Sequence, residues 1–89
     1  MATKIIMFTG TTCSKCKRAK EMLTKTPPGH EVELIERNVD KDEHHKLYMM
    51  YELESNTLPT FIINPGKEGQ ETLRGFDENI GKIMDHIGL

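Results

Sequence analysis

Eighty-nine residues suit one domain, and 36% apolar with 29% charged side chains is the balance of a water-facing globular chain able to bury a small core. Fourteen acids against twelve bases leave a formal charge of −2. The two signs are interspersed, so no broad face for nucleic acid is expected. No apolar stretch approaches the length needed to span a bilayer or to form the centre of a secretion signal, so a cytoplasmic location with reduced thiols is expected.

In chain order, Ile5-Ile6-Met7-Phe8 predicts a central strand buried on both faces, and Gly10-Thr11-Thr12 turns the chain towards a helix. That helix is expected from Ser14 to Lys25, with Cys16, Ala19, Met22 and Leu23 on one face and Pro27-Pro28-Gly29 ending it. Val32 and Leu34 alternate with charged residues, which predicts a half-buried strand from Glu31 to Val39. Asp40 with Glu43 three residues on resembles a capping box, and Leu47, Met50, Tyr51 and Glu54 then follow helical spacing to about Ser55. Phe61-Ile62-Ile63 after Pro59 predicts a third strand, and Asn64-Pro65-Gly66 turns towards a fourth at Glu71 to Arg74. Asp77 is placed to cap a last helix, in which Ile80, Ile83, Met84 and Ile87 form one apolar stripe.

The order βαβαββα predicts an α/β domain, a small mixed sheet with helices on both faces. In such sheets sites collect where a strand's C-terminal end meets a helix N-terminus, and Cys13 falls there.

Cys13 and Cys16 are the only cysteines. As a staple they would close a four-residue loop worth roughly 2 kcal/mol, against about 4.7 for a loop of 100 residues. As half of a zinc site they would need two more ligands, and the candidates His30, His44, His45 and His86 lack matching spacing. His44 and His45 point about 100° apart on a helix, as solvated residues do. Copper-chaperone-like domains also carry Cys-x-x-Cys after a strand, but their order βαββαβ ends in a strand rather than an amphipathic helix. A metal-binding or metallochaperone role for the same cysteine pair stays as the alternative reading.

Redox chemistry accounts for the spacing best. Helical residues i and i+3 have Cβ atoms about 5 to 6 Å apart. A disulfide wants about 3.5 to 4.5 Å, so a modest adjustment of the first turn allows the bond to form and break. Cys13 at the helix tip faces unpaired N–H groups and the positive end of the dipole, which favour its thiolate and make it the nucleophile. Cys16, one turn deeper, is the resolving thiol. Lys15 opposes the helix dipole unless an anion lies nearby.

Taken together, "FTGTTCSKCKRAKEML", "NTLPTFII" and "RGFDENIGKIMDHIG" resemble the glutaredoxin branch of the thioredoxin superfamily over nearly the whole chain, including redoxins that serve ribonucleotide reductase. The resemblance implies a four-stranded thioredoxin fold, one glutaredoxin-like domain over residues 1–89, and thiol-disulfide oxidoreductase activity. It implies that Thr57-Leu58-Pro59 matches the family's Thr-Val-Pro segment. Pro59 is then cis and the Leu58 backbone pairs with the substrate's cysteinyl unit. Gly75-Phe76-Asp77 lies where typical members hold the γ-glutamyl end of glutathione. Three departures stand out: Ser14-Lys15 replaces Pro-Tyr between the cysteines, Gly10 replaces a lysine that meets a glutathione carboxylate, and Arg74-Gly75 replaces a double glycine. Lys15 and Arg74 are the candidates to restore the missing positive charge. The expected partners are a protein disulfide, ribonucleotide reductase among the possibilities, with either glutathione or thioredoxin reductase as electron donor. No bound cofactor, metal, nucleic acid or membrane is expected, and the chain is expected to be monomeric.

Overall fold

The computed structural model describes residues 2–89. Strand β1 (Thr3–Thr9) leads into helix α1 (Ser14–Thr24) and then strand β2 (Val32–Asn38). Next come a short helix α2 (Glu43–Leu47), a π-helical turn Tyr48–Glu52, and strands β3 (Thr60–Ile63) and β4 (Glu71–Arg74). A 3₁₀ turn Asp77–Asn79 and helix α3 (Ile80–Ile87) complete the chain. The order βαβαββα therefore matches the sequence reading, and the sheet runs β2-β1-β3-β4.

The β1–β2 pair is parallel, which requires a crossover, and α1 supplies it. Strand β1 pairs antiparallel with β3, and β3 with β4 from Thr60↔Arg74 to Ile63↔Glu71. Because side chains alternate across a strand, the apolar run of β1 feeds two cores. Ile5 and Met7 join Ala19, Leu23, Phe61, Ile63, Leu73, Phe76, Ile83 and Ile87 under α1 and α3. Phe8 joins Val39, Met49, Leu53 and Ile62 on the other face, under the π-helical turn. Gly88 closes α3 in the left-handed conformation (φ 83°), as a helix C-cap favours.

The second helix departs from expectation in two ways. Its N-cap is Asp42, whose side chain accepts from the His44 N–H, rather than Asp40. The Asn38 side chain accepts from the N–H groups of both Asp40 and Lys41, and this turn delays the helix start. The expected stripe of Leu47, Met50 and Tyr51 faces solvent, while Met49 and Leu53 are buried. The segment is apolar almost all round, so spacing alone could not select the inner face. The Leu53 N–H donates to the Tyr48 carbonyl five residues back, and the Tyr48 ring stacks on Phe8 at 5.9 Å. The last helix also differs: Asp77 opens the 3₁₀ turn, and no side chain caps either that turn or α3.

Candidate active site

The site is built from three loops at one end of the sheet. After β1, the Thr11 N–H donates to Asp40 Oδ2 at 2.8 Å, which ties the loop before α1 to the loop after β2. Cys13 then sits at the N-cap of α1 with an extended backbone (φ −91°, ψ 106°). Its Sγ accepts from the Cys16 N–H at 3.1 Å. That position usually belongs to an oxygen-bearing cap such as Ser or Asp. On reduction, the same donor and the helix dipole stabilise a thiolate there. Cys13 and Cys16 form a disulfide, with Cα atoms 5.2 Å apart. Cys13 is partly exposed, whereas Cys16 is 4% exposed.

On the other side of β1 lies the segment before β3, where the Leu58–Pro59 bond is cis. Pro59 is fully buried. Buried Ser55 and Thr60 share a hydroxyl hydrogen bond of 2.8 Å, and the Thr60 hydroxyl donates to the Thr57 carbonyl. The Gly75 N–H donates to the Pro59 carbonyl at 2.8 Å, so the end of β4 is fastened to this segment. Among the described residues neither the N–H nor the C=O of Leu58 has a protein partner, so that backbone edge is open.

The Glutaredoxin family profile matches residues 5–66. The chain belongs to the glutaredoxin family. No curated protein sequence matches it significantly. Among solved structures it is similar to the thioredoxin-like protein BC3987, at 27% identity, TM-score 0.74, covering 92% of this chain and 97% of that one. It is also similar to mitochondrial thioredoxin 3 of Saccharomyces cerevisiae in its oxidised form, at 26% identity and TM-score 0.63, covering 93% of this chain and 76% of that one. A thioredoxin of Malassezia sympodialis, 24% identical with TM-score 0.62 over 96% of this chain and 77% of its own, shares the fold. The thioredoxin-type fold and the paired cysteines of a thiol-disulfide oxidoreductase are therefore both present in this glutaredoxin-family chain.

The remaining sequence candidates divide between the two faces of the sheet. Arg18 forks onto Asp77 with nitrogen–oxygen distances of 3.3 and 3.4 Å, and its guanidinium lies 5.9 Å from the centre of the Phe76 ring. Phe76 is itself buried in the α1–α3 core. Lys15 lies 3.9 Å from the same Asp77 carboxylate, which is the anion its position at the helix tip requires. Gly75 takes φ 94°, which is what this turn needs glycine for; a Cβ there would meet only the movable, exposed Glu78 carboxylate. Arg74 points to the opposite face and donates to the Leu53 carbonyl at 2.6 Å. Lys15 and Arg74 are thus held by different partners rather than gathered at one anion site. Sequence reasoning missed the Arg18–Asp77 fork and the Asp40–Thr11 tie. Both link residues far apart in the chain, and no local pattern announces them.

Proposed function

We propose that this glutaredoxin-family chain reduces protein disulfides through its Cys13–Cys16 dithiol. The Cys13 thiolate attacks one sulfur of the substrate, the substrate S–S bond breaks, and the departing thiolate takes the electron pair. Cys16 then loses its proton and attacks Cys13 Sγ, which expels the second substrate thiolate and closes the Cys13–Cys16 disulfide. Two electrons pass to the substrate in all, and its two thiolates take up the proton lost by Cys16 and one from water. The observation that carries this reading is the asymmetry of the pair: Cys13 caps α1 with its sulfur on the Cys16 N–H, while Cys16 is buried behind it.

Thr57, Leu58 and Pro59 form the docking edge, where the open Leu58 backbone pairs with the substrate chain like an added strand. Gly75, Phe76 and Asp77, with Lys15, form the other rim. The substrate is a disulfide-bearing protein of the ribonucleotide reductase kind, and the protein works as a monomer in the cytoplasm. Among the described residues no helix is long and apolar enough to cross a membrane. The electron donor is a dithiol enzyme of the thioredoxin reductase kind, since the positive charges at the Gly75–Asp77 turn are already engaged within the chain.

Single-cysteine variants test the assignment. Cys16→Ser should accumulate a mixed disulfide between Cys13 and substrate, detectable by mass, while Cys13→Ser should abolish reduction of every disulfide tried. Equal residual activity in the two variants would reject the division of labour.

A further inference from the structure

The strand order β2-β1-β3-β4 places β2 and the Leu58–Pro59 segment on opposite sides of β1. On the β2 side, α1 and β2 enclose a cleft of about 220 Å³ that opens beside the disulfide. Its wall carries Cys13, Cys16, Lys17, Lys20, Glu36 and Lys41. Three ammonium groups against one carboxylate make this lining +2, in a chain whose total is −2. The single acid is already taken: Glu36 receives Lys20 at 2.9 Å and the Thr9 hydroxyl at 3.0 Å. The hydrogen bond from Lys20, helped by that from Thr9, holds the Glu36 carboxyl below its usual range. Among the described residues Lys17 and Lys41 make no ion pair. Both are exposed. Lys17 and Lys20 also lie three residues apart on α1, where neighbouring like charges work against helix stability.

We infer that this cleft receives a carboxylate side chain of the protein substrate, an Asp or Glu close in sequence to the cysteine that Cys13 attacks. Disulfides in acidic segments are thereby preferred. The inference rests on the redox reading above, because it presumes a substrate chain held at Cys13. The reach is short: Cys13 itself lines the cleft. One or two residues of extended chain span about 3.3 to 7 Å, before the length of the acidic side chain is added. The substrate therefore has two holds, the Leu58 backbone on one side of Cys13 and the lysine cleft on the other. Since the lysines are solvated, the second hold is modest and screened by salt.

The test uses the full chain, reduced beforehand, in single turnover with two peptide disulfides that differ only in glutamates or glutamines flanking the cysteines. At low ionic strength the glutamate peptide should react roughly threefold to tenfold faster in second-order rate constant, with the ratio falling towards one as salt is added. In Lys17→Gln/Lys41→Gln the ratio should fall towards one without salt. The ratio is the readout because loss of nearby lysines also alters the Cys13 thiolate, and that change is common to both peptides. If the unsubstituted protein reduces neither peptide, the redox reading itself is overturned. If both peptides are reduced with a ratio of one, or the preference survives in the double variant, only the cleft assignment falls. A third arm compares glutathione disulfide with its carboxylate ester. Lysine-dependent preference in that arm alone would assign the cleft to glutathione and overturn the assignment to a protein side chain.

Discussion

An ideal Cβ placed on Gly10 would lie 2.8 Å from Leu58 Cδ1 and 3.2 Å from Asp40 Oδ2, so two departures from the family's residues occupy one another's space. Leu in place of Val at position 58 fills what a side chain at position 10 would need. The obstructing atom is the far end of a flexible side chain, so Gly10→Ala forces Leu58 to swing, at about 1 kcal/mol. Alanine also stiffens the unfolded chain, which returns about 0.4 to 1 kcal/mol and can mask that cost in the single variant. The informative quantity is the coupling. Leu58→Val should relieve the contact, so a double-mutant cycle with Gly10→Ala is expected to show about 0.5 to 1 kcal/mol of favourable interaction in urea unfolding. Strict additivity would mean that the two residues do not compete. The Thr57–Pro59 segment could be read through its resemblance to the family, whereas this competition with Gly10 could not, because it joins residues 48 positions apart through a contact that only the folded loops create.

At the scale of elements, legibility followed the range of the interactions. Strand β2 and the apolar stripe of α3 were readable because alternation and 3.6-residue spacing are local. Helix α2 was readable only in outline. With Leu47, Tyr48, Met49, Met50, Tyr51 and Leu53 apolar or aromatic almost all round, the inner face is chosen by the π-helical turn and by the stack of Tyr48 on Phe8. Asp77 shows the same limit: its local position suits a cap, but Arg18, 59 residues away, holds it instead. A second long-range pair fastens β4 to α3, where His86 Nε2 and Glu71 Oε1 lie 2.7 Å apart. The hydrogen bond from His86 holds the Glu71 carboxyl below its usual range. A carboxyl depressed on folding stabilises the fold above its unfolded pKa, about 4.3 for Glu, and that contribution is lost as pH falls through the lower folded value. Glu71→Gln should therefore unfold at lower urea than the unsubstituted chain at about pH 5.5, with the gap closing as the pH is taken well below the ordinary carboxylate value of about 4.3. A gap of constant size across that range would show that the carboxylate's charge is not what matters.

Across the whole molecule, a net charge of −2 conceals a division of the basic groups around Cys13. Towards β4, Lys15 and Arg18 share Asp77, and Arg74 is bound to the Leu53 carbonyl on the opposite face of the sheet. Towards β2, Lys17 and Lys41 stand without carboxylate partners among the described residues. The resemblance puts the γ-glutamyl end of glutathione at the Gly75–Asp77 turn, and the carboxylate of that end needs a cation there. Releasing both Lys15 and Arg18 for that purpose would break the tie between α1 and Asp77, and releasing Arg74 would leave the Leu53 carbonyl without this donor. A dithiol enzyme needs neither, because it regenerates the reduced pair by exchange at the partly exposed Cys13 sulfur. The expected outcome is turnover at least tenfold faster with NADPH and thioredoxin reductase than with glutathione, glutathione reductase and NADPH, on the same protein disulfide. Faster turnover with glutathione would overturn the donor assignment. Arg74→Glu then locates the site: a strong, salt-dependent loss of glutathione turnover, with reduction by dithiothreitol unchanged, would mean that Arg74 leaves Leu53 to meet the ligand.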